Sequence, residues 1–128
     1  MTIKEYQEQM NVAIPEHSSE KDAVSHWVVG LTEEAGEVAG LIKHRYYCNE
    51  DIPDEVIAEE LGDVLWYISA LCNELGLNLT AVAELNLAKL KHRYNGQYSD
   101  DKVRDRHVSF ENFKETRLYK LLVEKLKK

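Results

Sequence analysis

Leu31-Thr32-Glu33-Glu34-Ala35-Gly36-Glu37-Val38 has an echo further along the chain in Ile57-Ala58-Glu59-Glu60-Leu61-Gly62-Asp63-Val64. Four pairs fall in register: Glu33 with Glu59, Glu34 with Glu60, Gly36 with Gly62, and Glu37 with Asp63. Each copy carries carboxylates at i and i+3, which share one helix face about 4.5 Å apart along the axis. Around them the apolar residues keep helical spacing. Val24, Val28, Leu31, Ala35, Val38 and Ile42 form one row, and Ile57, Leu61, Val64, Ile68, Leu71 and Leu75 the other. Such a seam is what a helix buries against a neighbour. The connection Asn49-Glu50-Asp51-Ile52 is short, so the two helices are expected to pack antiparallel.

The direction of the carboxylates follows from about 100° of turn per residue. With Leu31 and Ile57 at the centres of their seams, Glu34 and Glu60 both fall at about −60°, and Glu37 and Asp63 at about −120°. In an antiparallel pair, flanks of the same angular sign open onto the same side; in a parallel pair they part. The residue numbers also balance across the loop, so all four carboxylates are expected to face one another at matching height. A lone acidic pair on a helix flank is ordinarily solvated surface. Four that converge repel by roughly 0.2–0.5 kcal/mol per like pair even in water. An all-oxygen set suits a hard cation, Mg²⁺ or else Mn²⁺. No Asp-rich calcium loop is present. None of His17, His26, His44, His92 and His107 follows an acidic residue by three, so the Glu-x-x-His pattern of di-iron bundles is missing.

Outward from this pair the chain is helical. Thr2 with Glu5 forms a capping box for a short first helix closed by Pro15, and Ser18 or Ser19 starts the second, which runs to about Tyr47. Pro53 suits the first turn of the third, and Gly76 its end. Thr80 is expected to cap a fourth helix reaching about Tyr94. The charged stretch from Ser99 to His107 follows, then a last helix from Phe110 to Leu126 capped by Ser109. The expectation is an all-α fold: a four-helix bundle-like core with antiparallel central helices, plus an extra C-terminal helix. One domain is expected, with its core at residues 19–99 and an extension at 109–127.

Composition narrows the function. The 128 residues are 44% hydrophobic and 30% charged, with net charge −7. Nucleic acid as a partner is disfavoured, because phosphate contacts need clustered excess Lys and Arg. No apolar run approaches the roughly 20 residues that cross a bilayer, and the N-terminus lacks a signal-peptide core. Cys48 and Cys72 match no metal or redox spacing, which fits a reduced cytoplasmic compartment.

Glu33-Glu34-x-x-Glu37 followed by Glu60-x-x-Asp63 resembles the EExxE…ExxD signature of the MazG-like, all-α nucleoside triphosphate pyrophosphohydrolases. The resemblance covers about residues 19–99, and the paired motif on consecutive helices is more specific than either half. Lys89-Leu90-Lys91-His92-Arg93-Tyr94, preceded by Asn86, is similar to the family's Asn…Lys-Leu-x-x-Arg-Tyr run. Where the family often continues Pro-x-Gly-aromatic, this chain departs with Asn95-Gly96-Gln97-Tyr98. The resemblance implies hydrolysis of a nucleoside triphosphate between its α and β phosphates, giving monophosphate and pyrophosphate. It implies Mg²⁺ on Glu34, Glu37, Glu60 and Asp63, which would neutralise phosphate charge and activate water. Glu33 and Glu37 are the implied catalytic carboxylates. Glu33 would hold a further metal or position the water; its equal counterpart Glu59 makes a plain surface role for Glu33 an equal alternative.

Asn86, Lys89 and Arg93 share one face of the fourth helix and would offer donors to phosphate; a solvated basic face is the alternative. Trp27 and Tyr67 lie on the glutamate side of their helices, as walls for a base or as core residues. Trp66 points almost opposite the seam and asks for a second apolar contact. With the C-terminal amphipathic helix, this implies a homodimer or homotetramer. The rivals are a phosphoribosyl-ATP pyrophosphatase, a dimeric dUTPase-like enzyme, or a non-catalytic helical metal-binding interaction module.

Overall fold

The structure, a computed structural model, describes residues 1–127. It is all-helical: α1 (Ile3–Gln9), α2 (Glu20–Tyr47), α3 (Asp54–Glu74), α4 (Leu79–Tyr94), α5 (Asp100–Arg104), α6 (Arg106–Lys114) and α7 (Arg117–Glu124), with no strand among the described residues. No described helix is long and apolar enough to cross a membrane. Two compact units divide the chain, Met1–Leu75 and Gly76–Lys128.

In the first unit Thr2 and Glu5 form the expected capping box. The helix it starts ends at Gln9, well short of Pro15. Met10 is drawn into the core with Ala23, Trp27 and Ala70, and its carbonyl accepts the Trp66 indole N–H at 3.1 Å instead of continuing the helix. Trp66 therefore finds its second apolar contact within its own chain, which corrects its use as a sign of oligomerisation. Ala13, at φ 59°, completes the exit.

Ser19 caps α2 by accepting the Asp22 N–H. The helix runs 28 residues to Tyr47, and Asn49 at φ 54° turns the chain back. Pro53 occupies the cap position before α3 rather than its first turn; its φ of −62° and ψ of 151° are extended, as a cap requires. α2 and α3 are antiparallel. Trp27 reaches Glu74, Gly30 meets Tyr67, and near the loop Arg45 pairs with Asp54 at 2.7 Å.

The buried stripe of α2 is not the seam that its aliphatic residues suggest. Ala23, Trp27 and Gly30 are the buried residues, one position earlier than Val24, Val28 and Leu31. One residue corresponds to a rotation of about 100°. Val28 is 46% exposed, Leu61 52% and Leu75 39%, while Val24, Leu31, Val38, Val64, Ile68 and Leu71 are half-buried. The large indole decides the rotation, because burying Trp27 removes more apolar area from water than burying Val28. The next residue of the buried stripe, four after Gly30, is Glu34.

In the second unit α4 is capped by Asn78, which accepts the Ala81 N–H at 3.3 Å. Thr80, the expected cap, lies inside the first turn, and its hydroxyl is buried with no hydrogen-bond partner. Asn95 closes α4 in the left-handed region at φ 46°. Ser99 caps the short α5 in the charged stretch. The single last helix expected from residue 110 is instead two. Ser109 lies within α6, and Thr116 caps α7 by accepting the Tyr119 N–H while its hydroxyl donates to the Phe113 carbonyl. The break has a packing cause. Phe113 is 1% exposed and Leu122 7%, yet on one straight helix residues nine apart point about 180° from each other. Only a bend buries both.

Candidate metal centre

The register of α2 against α3 brings Glu34, Glu60 and Asp63 together, each with a carboxylate oxygen within 4.8 Å of the others. Glu34 and Glu60 are half-buried and Asp63 is exposed. The Glu34 carboxyl is held above its ordinary 4.5, first by partial burial and then by the charges of Asp63 and Glu60, a shared hydrogen bond with Glu60, and Glu33. Among the described residues no ion pair joins a lysine or arginine to any of the three. The same negative field reaches further. The Tyr67 phenol is pushed up by burial and then by Glu34, Glu33 and Asp63, and Tyr6 by burial and then by Asp63. A crowded all-oxygen donor set with no protein cation beside it fits a hard divalent ion.

Glu37 and Glu33 are exposed and stand outside this group of three. Glu37 lies one turn past Glu34, about 4.5 Å along the axis, so ligation by it needs another side-chain rotamer. Tyr67 stands at the site, with its ring pressed on Gly30. A Cβ at position 30 would lie 2.1 Å from Tyr67 Cε1, so glycine is required there by close approach. Trp27, in contrast, is 1% exposed, which fits the second of its two expected readings, a core residue, and not a wall open to a base. It is a core residue, its indole N–H directed to Glu74 at 3.4 Å. The exposed ring above it is that of His26, stacked at 4.8 Å and 15°. His26 in turn shares a 2.9 Å hydrogen bond with His17. Neither histidine stood out in the sequence, because only the fold brings positions 17 and 26 together.

Asn86, Lys89 and Arg93 belong to α4 in the second unit. Asn86 is exposed, and Lys89 and Arg93 are half-buried. The Arg93 guanidinium sits 5.7 Å from the Tyr94 ring centre, and its Nε is buried without a partner. The second unit also holds a hollow lined by Leu87, Ala88, Phe113, Leu118 and Leu122 among others, which contains no cluster of metal-ligating groups.

Residues 24–97 match the family model of the MazG nucleotide pyrophosphohydrolase domain. The chain belongs to the MazG family. The matched span contains Glu34, Glu60 and Asp63 as well as α4. Over 76 residues the chain is 34% identical to the Gene 37 protein of Mycobacterium phage L5, covering 56% of this chain and 67% of that protein. It is 35% identical over 75 residues to the uncharacterized protein YpjD of Bacillus subtilis, covering 55% of this chain and 62% of that protein. No solved structure matches. What this match establishes is a MazG nucleotide pyrophosphohydrolase domain at residues 24–97.

Proposed function

We propose that the protein is a Mg²⁺-dependent nucleoside triphosphate pyrophosphohydrolase, with Mn²⁺ as the alternative ion. The observation that carries the reading is the convergence of Glu34, Glu60 and Asp63 with no ion pair to a lysine or arginine among the described residues. Bare carboxylates repel a triphosphate, so a cation has to stand between the two. Glu34, Glu60 and Asp63 would hold it, and Glu37 would join by changing rotamer. When bound, such an ion neutralises phosphate charge and makes water a better nucleophile. Water is added across the α–β phosphoanhydride bond: the bond from phosphorus to the bridging oxygen breaks, the water oxygen stays on that phosphorus, a proton is released to solvent, and monophosphate and pyrophosphate leave. Glu33, exposed beside Glu34, would orient the water.

We also propose that the protein works as a homodimer or homotetramer in a reducing cytoplasm. Val28, Val29, Leu61 and Leu65, 42–66% exposed on α2 and α3, support assembly, and the spacing of Cys48 and Cys72, which fits no metal or redox motif, supports the compartment. Light scattering of the purified chain checks the assembly.

The test is a panel of ribo- and deoxyribonucleoside triphosphates with Mg²⁺, assayed for monophosphate and pyrophosphate together. Stoichiometric release of both is expected. Turnover confined to dUTP or to phosphoribosyl-ATP would move the assignment to those neighbouring specificities. No release from any of them would overturn the enzyme reading. Glu37→Gln separates an enzyme from a metal-holding interaction module: the fold should persist while hydrolysis is lost.

A further inference from the structure

A second cluster of metal-ligating groups lies at the far end of α2, outside the acidic site. His44, Cys48 and Glu50 each offer a ligand atom, imidazole nitrogen, thiol sulfur and carboxylate oxygen, all within 4.8 Å of one another. All three residues are exposed. We propose that they form a zinc site that clamps the turn between α2 and α3.

The backbone builds this cluster. His44 and Cys48 are one turn apart, and the Cys48 N–H closes the helix on the His44 carbonyl at 3.3 Å. Glu50 lies beyond the helix and would ordinarily point away. Asn49, at φ 54°, reverses the chain, and the Glu50 N–H then also donates to the His44 carbonyl, at 3.1 Å. The reversal carries the Glu50 carboxylate back to His44 Nδ1, 2.7 Å away. The other side of the turn is fixed independently by Arg45, whose guanidinium donates to the Ile52 carbonyl and to Asp54. The donors thus sit on a braced turn, and little ordering remains to be done when an ion arrives.

The donor chemistry selects the ion. Sulfur and imidazole nitrogen beside a single carboxylate are a borderline-soft set that favours Zn²⁺ over the hard Mg²⁺ of the acidic site. Zinc takes the cysteine as thiolate. Thiolate and carboxylate then balance the two charges of the ion, and water completes a tetrahedral site. The location helps as well, because the carbonyls at the C-terminus of a 28-residue helix favour a cation. A residue spacing of His-x3-Cys-x-Glu matches no common zinc motif, which is why the sequence does not announce it.

The test uses the full chain, reduced with a non-chelating phosphine, carrying Glu34→Gln and Glu60→Gln to silence the acidic site. Co²⁺ as the probe should give the near-ultraviolet charge-transfer band of a cobalt–thiolate bond, at one ion per chain. Zn²⁺ should abolish that band by displacement and raise the midpoint of urea unfolding followed by tryptophan fluorescence. Cys48→Ser should lose the band, and His44→Ala and Glu50→Gln should each weaken Zn²⁺ binding by at least about tenfold. On the otherwise wild-type chain, Cys48→Ser should leave pyrophosphate release with Mg²⁺ unchanged. A missing band, a band surviving in Cys48→Ser, or affinity indifferent to both His44→Ala and Glu50→Gln would overturn the site. The outcome does not depend on whether the acidic centre is catalytic.

Discussion

Replacing Gly30 by alanine tests the contact that joins the core to the acidic site. Inside a helix the change by itself should stabilise, since glycine is about 1 kcal/mol less favourable than alanine there. Here the new Cβ would stand 2.1 Å from Tyr67 Cε1 and 2.4 Å from Cζ, while ordinary contact begins at 3.4 Å. The ring must therefore shift by more than an ångström. Trp66, Trp27 and His26 surround it at centroid distances of 5.0, 6.3 and 6.4 Å, so the shift disturbs several neighbours. Overpacking of this kind costs about 1–3 kcal/mol. The balance is a net loss on the order of 1 kcal/mol once the helix gain is subtracted. Both tryptophans of the chain, Trp27 and Trp66, lie in this cluster, so their fluorescence during urea unfolding reports the right unit. The decisive comparison is a double-mutant cycle. With Tyr67→Ala already in place the obstruction is gone, and Gly30→Ala should now stabilise by about 1 kcal/mol. If Gly30→Ala has the same effect in both backgrounds, the close approach is not what demands glycine.

Three further outcomes are expected. Glu34→Gln should keep the helical circular dichroism and lose Mg²⁺ binding by at least about tenfold, read by calorimetry; unchanged affinity would remove Glu34 from the site. The raised Glu34 pKa also fixes a sign. Between its ordinary 4.5 and the higher value in the fold, the native state holds more protons than the unfolded chain, so metal-free stability falls as pH rises through that window. Glu34→Gln should remove that slope, and in the wild type Mg²⁺ affinity should fall as pH drops into the same window, where the proton competes. Asn78→Ala should destabilise α4 by about 1 kcal/mol, seen as faster amide exchange in its first turn, while Thr80→Val should be close to neutral or stabilising, because it removes a buried hydroxyl that has no partner.

Local chemistry was legible in the chain itself. Thr2 with Glu5 and Ser19 marked helix starts, because a cap is a bond between a side chain and a backbone group three residues away. Helix angle and an antiparallel turn, which depend only on residue number, bring Glu34, Glu37, Glu60 and Asp63 together as an expectation; the structure gathers three of them and leaves Glu37 outside, because helix angle does not fix a side-chain rotamer. Gly30 could not be explained in that way. Its requirement comes from a ring far away in sequence.

The residue pattern alone fixes the helical class, the pairing of α2 with α3 and an acidic pair at i and i+3 on each. These follow from periodicity and from a short loop, both properties of neighbouring residues. Packing across the fold chose which stripe of α2 is buried. The aliphatic row at Val24, Val28 and Leu31 and the row at Ala23, Trp27 and Gly30 have the same period, and the choice between them falls to the bulk of one indole and the space beside one glycine. It also decided that residues 106–124 bend at Thr116, because Phe113 and Leu122 cannot both be buried from a straight helix. Periodicity says that a face exists; packing volume says which face it is.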